Sequence, residues 1–337
     1  MTIDVHGHLS PPAAQRRFPM PPSLTDVAGM IEHKLAHDVT MTIVGSPVGA
    51  GAMAPIPGVD NYAQDNDTLR RFHDWLSATV AEHPDHLRGL VYANAFGDDR
   101  HLAGVADTFR SAPFVGLITN TSVNGHYLDD SRADGFFALA EELGAPVVLH
   151  APAWPAAGHG LTDPRLIEQL GRFGDVTLAV ACLILSGRLD KHPNLQLIAA
   201  GGGGALAMLP RRLDLIATMP HWGPQRPGQA GPRLEPLRQL PSSYLRRIWV
   251  DTAGSGGIHL RANVEVFGAQ HMLFGTDSPP LVDVVGPGLA EIDALPVPEA
   301  DKHAIRRGNA EHLFGLIPAG SSTQANDTVR SERAHSR

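Results

Sequence analysis

Residues 2–8 read TIDVHGH, residues 145–150 read APVVLH and residues 271–277 read HMLFGTD, three apolar, β-rich runs that end on metal-ligating residue types. His6 and His8 close the first, His150 the second and Asp277 the third. Five more runs of the same kind complete a set of eight: Val39 to Ser46, Leu87 to Ala95, Phe114 to Thr121, Leu195 to Ala200 and Arg247 to Thr252. Most are separated by segments of helical periodicity, such as LTDVAGMIEHKLAHD (24–38), DNDTLRRFHDWLSATVAEH (65–83), HLAGVADTFRS (101–111) and ADGFFALAEELG (133–144). Strands alternating with helices predict an α/β fold with a parallel sheet. A doubly wound open sheet has the same local pattern. Candidate ligands on the first, fifth and last strands favour a (β/α)8 TIM barrel instead, because there the C-terminal strand ends converge on one site.

Length and composition agree with one barrel. Such a fold commonly takes about 250 residues plus insertions, and the chain has 337. A single barrel domain is expected over residues 1–317, with the polar stretch 318–337 as a disordered tail. Apolar residues make up 43%, enough for a sizeable core, and 27 basic against 35 acidic residues give a net charge of −8. That charge argues against a nucleic-acid surface. The lone Cys182 cannot build a disulfide framework, and a strand begins almost at the first residue, without the pattern of a signal peptide. The longest apolar stretch, around Leu178 to Leu185, falls short of the roughly 20 residues needed to span a bilayer and reads as a buried helix. A cytoplasmic protein is expected, without membrane or nucleic-acid partners.

In a strand, residues i and i+2 face the same side, so His6 and His8 can chelate one ion together. Three imidazoles and a carboxylate suit one catalytic divalent metal and leave room for a water or a substrate oxygen. By the same alternation Asp4 shares their face and would underlie them as an anchor. Asp251, closing WVDTAG, would brace the barrel mouth or orient a ligand. Two Pro- and Gly-rich loops, SPPAAQRRFPMPPS (10–23) and SPVGAGAMAPIPGVDN (46–61), follow the first two strands and should wall the site. Trp154, just after His150, is placed to stack on an aromatic or conjugated substrate. Arg16 and Arg17 offer cationic groups in the first loop. The N–H groups of Gly202, Gly203 and Gly204, ahead of a helix starting near Ala205, would suit an anion.

The motifs IDVHGH (3–8), APVVLH (145–150), KHPNLQLIAAGGGGAL (191–206), SYLRRIWVDTAG (243–254), MLFGTDSPP (272–280) and GNAEHLFGL (308–316) together resemble the amidohydrolase superfamily. They resemble in particular its branch of aminocarboxymuconate-semialdehyde decarboxylase, with resorcylate-type and methylsalicylate-type decarboxylases. The resemblance implies a (β/α)8 barrel, often dimeric, with one zinc or manganese ion held by His6, His8, His150 and Asp277. It also implies a substrate-carboxylate role for Arg212, which in some members reaches a neighbouring subunit's pocket; Arg211 beside it could be the partner-facing residue instead. One position departs from the family pattern. A histidine there ends the sixth strand and acts as acid/base, whereas LIAAGGGGAL places Gly201 at that point. Glycine has no proton to transfer.

Three explanations follow. Another group shuttles protons, with His159, His221 and Asp277 the candidates; or the substitution makes space for a different substrate; or the protein binds metal and ligand without catalysis. The leading expectation is a metal-dependent decarboxylase, a carbon-carbon lyase, acting on a small aromatic or conjugated unsaturated carboxylic acid, as a homodimer. A metal-dependent hydrolase of a small ester, lactone or amide, with Asp277 as base, is the alternative, and a non-catalytic metal- and ligand-binding protein the second.

Overall fold

Every residue of β1 (Thr2–His8) is buried in the computed structural model, which describes residues 1–54, 56–111, 113–218 and 237–316. The tail expected over 318–337, and His221, lie outside the described residues. Seven further strands are β2 (Val39–Gly45), β3 (Leu87–Tyr92), β4 (Phe114–Asn120), β5 (Val147–His150), β6 (Leu197–Ala199), β7 (Ile248–Asp251) and β8 (Met272–Leu273). All eight pair in parallel, in chain order from β1 to β8. The ring closes just past β8, where Val5 N–H donates to Phe274 O at 2.9 Å and Asp277 N–H to His6 O at 2.8 Å. Those two bonds exclude the open sheet and set the third ligand strand against the first. A small hairpin, Ser122–Val123 with His126–Tyr127, turns over Asn124-Gly125, both at positive φ. That dipeptide is a strong turn signal that the strand pattern alone passes over.

The outer helices are α1 (Val27–Ala36), α2 (Asn66–Glu82), α3 (Asp99–Arg110), α4 (Asp134–Leu143), α5 (Arg172–Leu185), α6 (Pro210–Thr218), α7 (Gly257–Val266) and α8 (Val285–Asp293). Asp26, Asp65 and Asp98 start the first three by accepting from the N–H three residues on. Apolar faces of these helices, with Phe72 and Leu76 of α2, Phe137 of α4 and Val180 of α5 among them, pack on strand residues such as Val44, Leu117 and Leu149. A separate cluster fills the barrel interior. It contains Ile3, Val5, Ile43, Ile118, Val148 and Ile198, with Leu313 and Phe314 from the last helical turn among the described residues packed against them. Among the described residues, no helix is long and apolar enough to cross a membrane.

One irregularity decides which way the ligands point. Asp4 lies opposite Thr42 but Gly7 lies opposite Val44, so β1 carries one extra residue between them, a β-bulge. The bulge reverses the alternation. His6 and His8 therefore join Ile3 and Val5 on the interior side, and Asp4 faces the other way, towards α1. The expectation that Asp4 shares a face with the two histidines is corrected by that single residue.

Asp4 nevertheless anchors the site from behind. Its Oδ2 accepts from Lys34 Nζ at 2.5 Å and Thr276 Oγ1 at 2.6 Å, and its Oδ1 from the N–H groups of His6 and Thr276 at 3.0 and 3.1 Å. Lys34 Nζ also donates to Thr276 Oγ1 at 2.8 Å. Asp4 and Lys34 are 0% and 2% exposed, so each would be a buried lone charge without the other. Removing one partner of such a pair costs about 3–5 kcal/mol. Lys34→Met is expected to lower unfolding stability by that amount in urea titration; an unchanged midpoint and slope would show that the pair does not hold the barrel seam.

Candidate metal centre

The C-terminal ends of β1 and β5 and the turn after β8 bring His6, His8, His150 and Asp277 to one point. One ligand atom from each lies within 4.8 Å of all the others. The three imidazole rings stand 5.0 to 5.1 Å apart, centre to centre, at 80 to 88° to one another, like the faces of a corner. This arrangement depends on what holds the far nitrogen of each ring. His8 Nδ1 donates to Gly45 O at 3.2 Å and His150 Nδ1 to Ala151 O at 2.8 Å. His6 Nδ1 meets Asp251 Oδ2 at 2.6 Å. Since carbonyls only accept, Nδ1 of His8 and His150 must carry the proton, and their Nε2 lone pairs are left facing the common centre.

The remaining distances fit one small ion. His6 Nε2 lies 3.2 Å from His8 Nε2, and Asp277 Oδ1 lies 3.0 Å from His8 Nε2 and 3.7 Å from His6 Nε2. Metal–nitrogen bonds of about 2.1 Å give a tetrahedral edge of roughly 3.4 Å, in the middle of that range. The electrostatics ask for positive charge at the same place. Burial opposes a charged His6, but Asp251, and then Asp277 and Asp4, outweigh it and push its pKa up to about 9. Burial, followed by the neighbouring His8 and His6, holds His150 well below its ordinary value, as an acceptor. Burial also opposes the charge of Asp277, yet the neighbouring His8, His6 and His150 keep its carboxyl far below the usual range. Its backbone is at φ +59°, a left-handed conformation uncommon outside glycine and often found where function holds it.

A cavity of about 520 Å³ lies over the ligands. Both expected loops wall it, through Pro19, Met20 and Pro21 from the first and Val48, Ala52 and Met53 from the second. Phe173, Val176 and Leu281 extend the apolar lining.

Several expected residues lie elsewhere. Trp154 is 57% exposed and lines a different cavity together with His159, so neither stands over the ligands of this chain. Arg212 is exposed on α6, as is Arg211, and Arg16 and Arg17 are exposed in the first loop. The glycine turn does not offer its amides to an anion. Gly202 N–H donates to Asp251 Oδ1, Gly203 N–H to Ala200 O and Gly204 N–H to Gly201 O, and the regular helix begins only at Pro210. Gly201 does line the cavity. A Cβ there would meet nothing within 4 Å, but φ is +61°, so any side chain at this position would strain the backbone.

Arg172, at the start of α5, is the cavity residue that sequence reading missed. Its signal was a cation opening an otherwise apolar helical run, RFGDVTLAVACLIL. The role of Asp251 is also sharper than expected: it holds His6 through Oδ2 and the glycine turn through Oδ1, which accepts from Gly202 and Ala253 N–H.

A family model described as amidohydrolase matches residues 3–316. The 2-amino-3-carboxymuconate-6-semialdehyde decarboxylase of Dictyostelium discoideum is 26% identical over 75% of this chain and 67% of its own. The gamma-resorcylate decarboxylase of Rhodococcus jostii (strain RHA1) is 24% identical over 90% and 98%. Among solved structures, dihydroxybenzoic acid decarboxylase from Polaromonas sp. JS666, with bound manganese and the inhibitor 2-nitroresorcinol, superposes with a TM-score of 0.74. It is 21% identical, with 94% of this chain and 98% of that one covered.

Partners that hold the far nitrogen of a metal-bound histidine typically change metal affinity 10- to 100-fold. Asp251→Asn should weaken manganese or zinc binding by about that factor in competition with a coloured chelator, while far-ultraviolet circular dichroism stays the same. Unchanged affinity would mean that Asp251 only braces the turn.

Proposed function

The chain belongs to the amidohydrolase family, and from that premise we propose that it is a metal-dependent decarboxylase of a small aromatic or conjugated unsaturated carboxylic acid. The observation that carries this is the convergence of three Nε2 lone pairs and one carboxylate under a mostly apolar cavity of about 520 Å³, a volume in the range of small-molecule sites. The decarboxylases named among the relatives, one of them solved with manganese, support the same chemistry.

His6, His8, His150 and Asp277 would hold a divalent ion, which would supply positive charge for an oxyanion beside the carbon losing carbon dioxide. The chain's own groups do the rest. Apolar walls from Met20, Val48, Phe173 and Val176 hold a flat substrate and keep water from it. The bond to the carboxylate breaks, carbon dioxide leaves, and the electron pair left on the ring or alkene carbon takes up a proton. Gly201 cannot give it. Asp277, the carboxyl among the four, has about a third of its side chain open, 34%, which lets it take a proton from solvent and pass it to that carbon.

The reading includes a homodimer in the cytoplasm. Leu166, Leu170 and Phe173, on successive turns leading into α5, are 43%, 62% and 36% exposed and offer an apolar face to a second copy. Arg212, outside the cavity of its own chain, is left to serve that copy.

Protein loaded with manganese or zinc is expected to release carbon dioxide from at least one member of a panel of hydroxybenzoates and muconate-like acids, and Asp277→Asn to abolish the release. Incorporation of water oxygen into an ester, lactone or amide product, with no carbon dioxide from any acid, would replace the decarboxylase with a hydrolase.

A further inference from the structure

Among the described residues, Arg172 is the one cationic side chain other than histidine on the wall of the ligand cavity. It is half-buried, and its only hydrogen bond among the described residues runs from Nη2 to Met53 O at 3.2 Å. Its Nε is buried with no partner. Glu168, one turn earlier and also on the cavity wall, and Asp277 both act on the guanidinium through space, yet neither forms an ion pair with it. A guanidinium so placed has donors to spare, facing apolar walls that do not satisfy them. It is built for an anion that arrives from outside the chain.

The chemistry of decarboxylation decides which anion. The carboxylate that is lost gives its charge to the neighbouring carbon as the bond breaks. A cation bound to it would stabilise the ground state more than the transition state and slow the reaction. A cation is useful on a group that keeps its charge throughout. Resting on the decarboxylase reading above, we propose that Arg172 binds a second, non-reacting carboxylate of the substrate. The natural substrate is then a diacid, with the oxygen beside its reacting carbon at the four clustered residues and its second carboxylate at Arg172.

The test compares salicylate with two ring-carboxylated forms, 4-hydroxyisophthalate and 2-hydroxyterephthalate, and with 5-nitrosalicylate, whose nitro group has a carboxylate's shape without its charge. Binding to metal-loaded protein is measured by calorimetry and turnover by carbon dioxide release. A charge-assisted hydrogen bond of about 1.5–3 kcal/mol corresponds to a roughly 10- to 150-fold preference for one diacid over both salicylate and the nitro compound. In Arg172→Gln, affinity for that diacid should fall to the level of salicylate, with Arg172→Lys between the two. In turnover, its KM should rise by a larger factor than kcat falls.

Equal affinity for diacids and monoacids in the native protein overturns the proposal without need of any variant. So does a diacid preference that survives Arg172→Gln. Carbon dioxide release without diacid preference removes the anchor and leaves the decarboxylase standing. An Arg172-dependent diacid preference without carbon dioxide release from any of the four acids leaves the anchor standing and removes the decarboxylase.

Discussion

The buried carboxylate of Asp4 is the interaction on which the rest depends. It takes donors from three places in the chain: its own strand at His6, the turn after β8 at Thr276, and α1 at Lys34. The seam of the barrel, where β1 meets the residues past β8, is the junction without a ladder among the described strands, since the strand order ends at β1 on one side and β8 on the other. Asp4 fixes that seam from outside while two backbone hydrogen bonds cross it. Because His6 and Asp277 stand on its two sides, fixing the seam sets the distance between candidate metal ligands that are 271 residues apart in the chain.

From that fixed seam the site follows by direction rather than proximity. Histidines gathered in a cavity would satisfy one another by hydrogen bonding. Here each Nδ1 is already held, by Asp251, Gly45 O or Ala151 O, and only Nε2 remains. Two Nε2 atoms 3.2 Å apart, with the Asp277 carboxylate 3.0 Å from one of them, favour a positive charge between them. A divalent ion meets that demand and engages Asp277 as well.

Much of this was legible in the sequence. The eight strands were readable because parallel, doubly buried strands leave apolar runs of recognisable length, and the ligands because each closes such a run. What was not legible depended on single residues that shift a pattern. The bulge between Asp4 and Gly7 turns Asp4 away from the ligands, and strict alternation places it among them. Trp154 follows His150 by only four residues, but the Pro-rich loop carries it to another cavity. Arg172 enters the site from a helix start 22 residues after His150, a distance at which sequence spacing carries no directional information. The glycine run looked like an anion cradle because glycines before a helix often form one; here their amides are spent on Asp251 and on the turn itself.

Gly201 and Arg172 both line the cavity over the four clustered residues. A Cβ at Gly201 would meet nothing within 4 Å, and the Arg172 guanidinium has one hydrogen bond and no ion pair among the described residues. Both bear on the substrate, and both presuppose an ion held by the four ligands. Metal-edge X-ray absorption on zinc-loaded protein tests that presupposition most directly. One ion per chain with three imidazole nitrogen neighbours and at least one oxygen is the predicted result. Failure to take up a stoichiometric ion, or a coordination shell with fewer than three imidazoles, would contradict it.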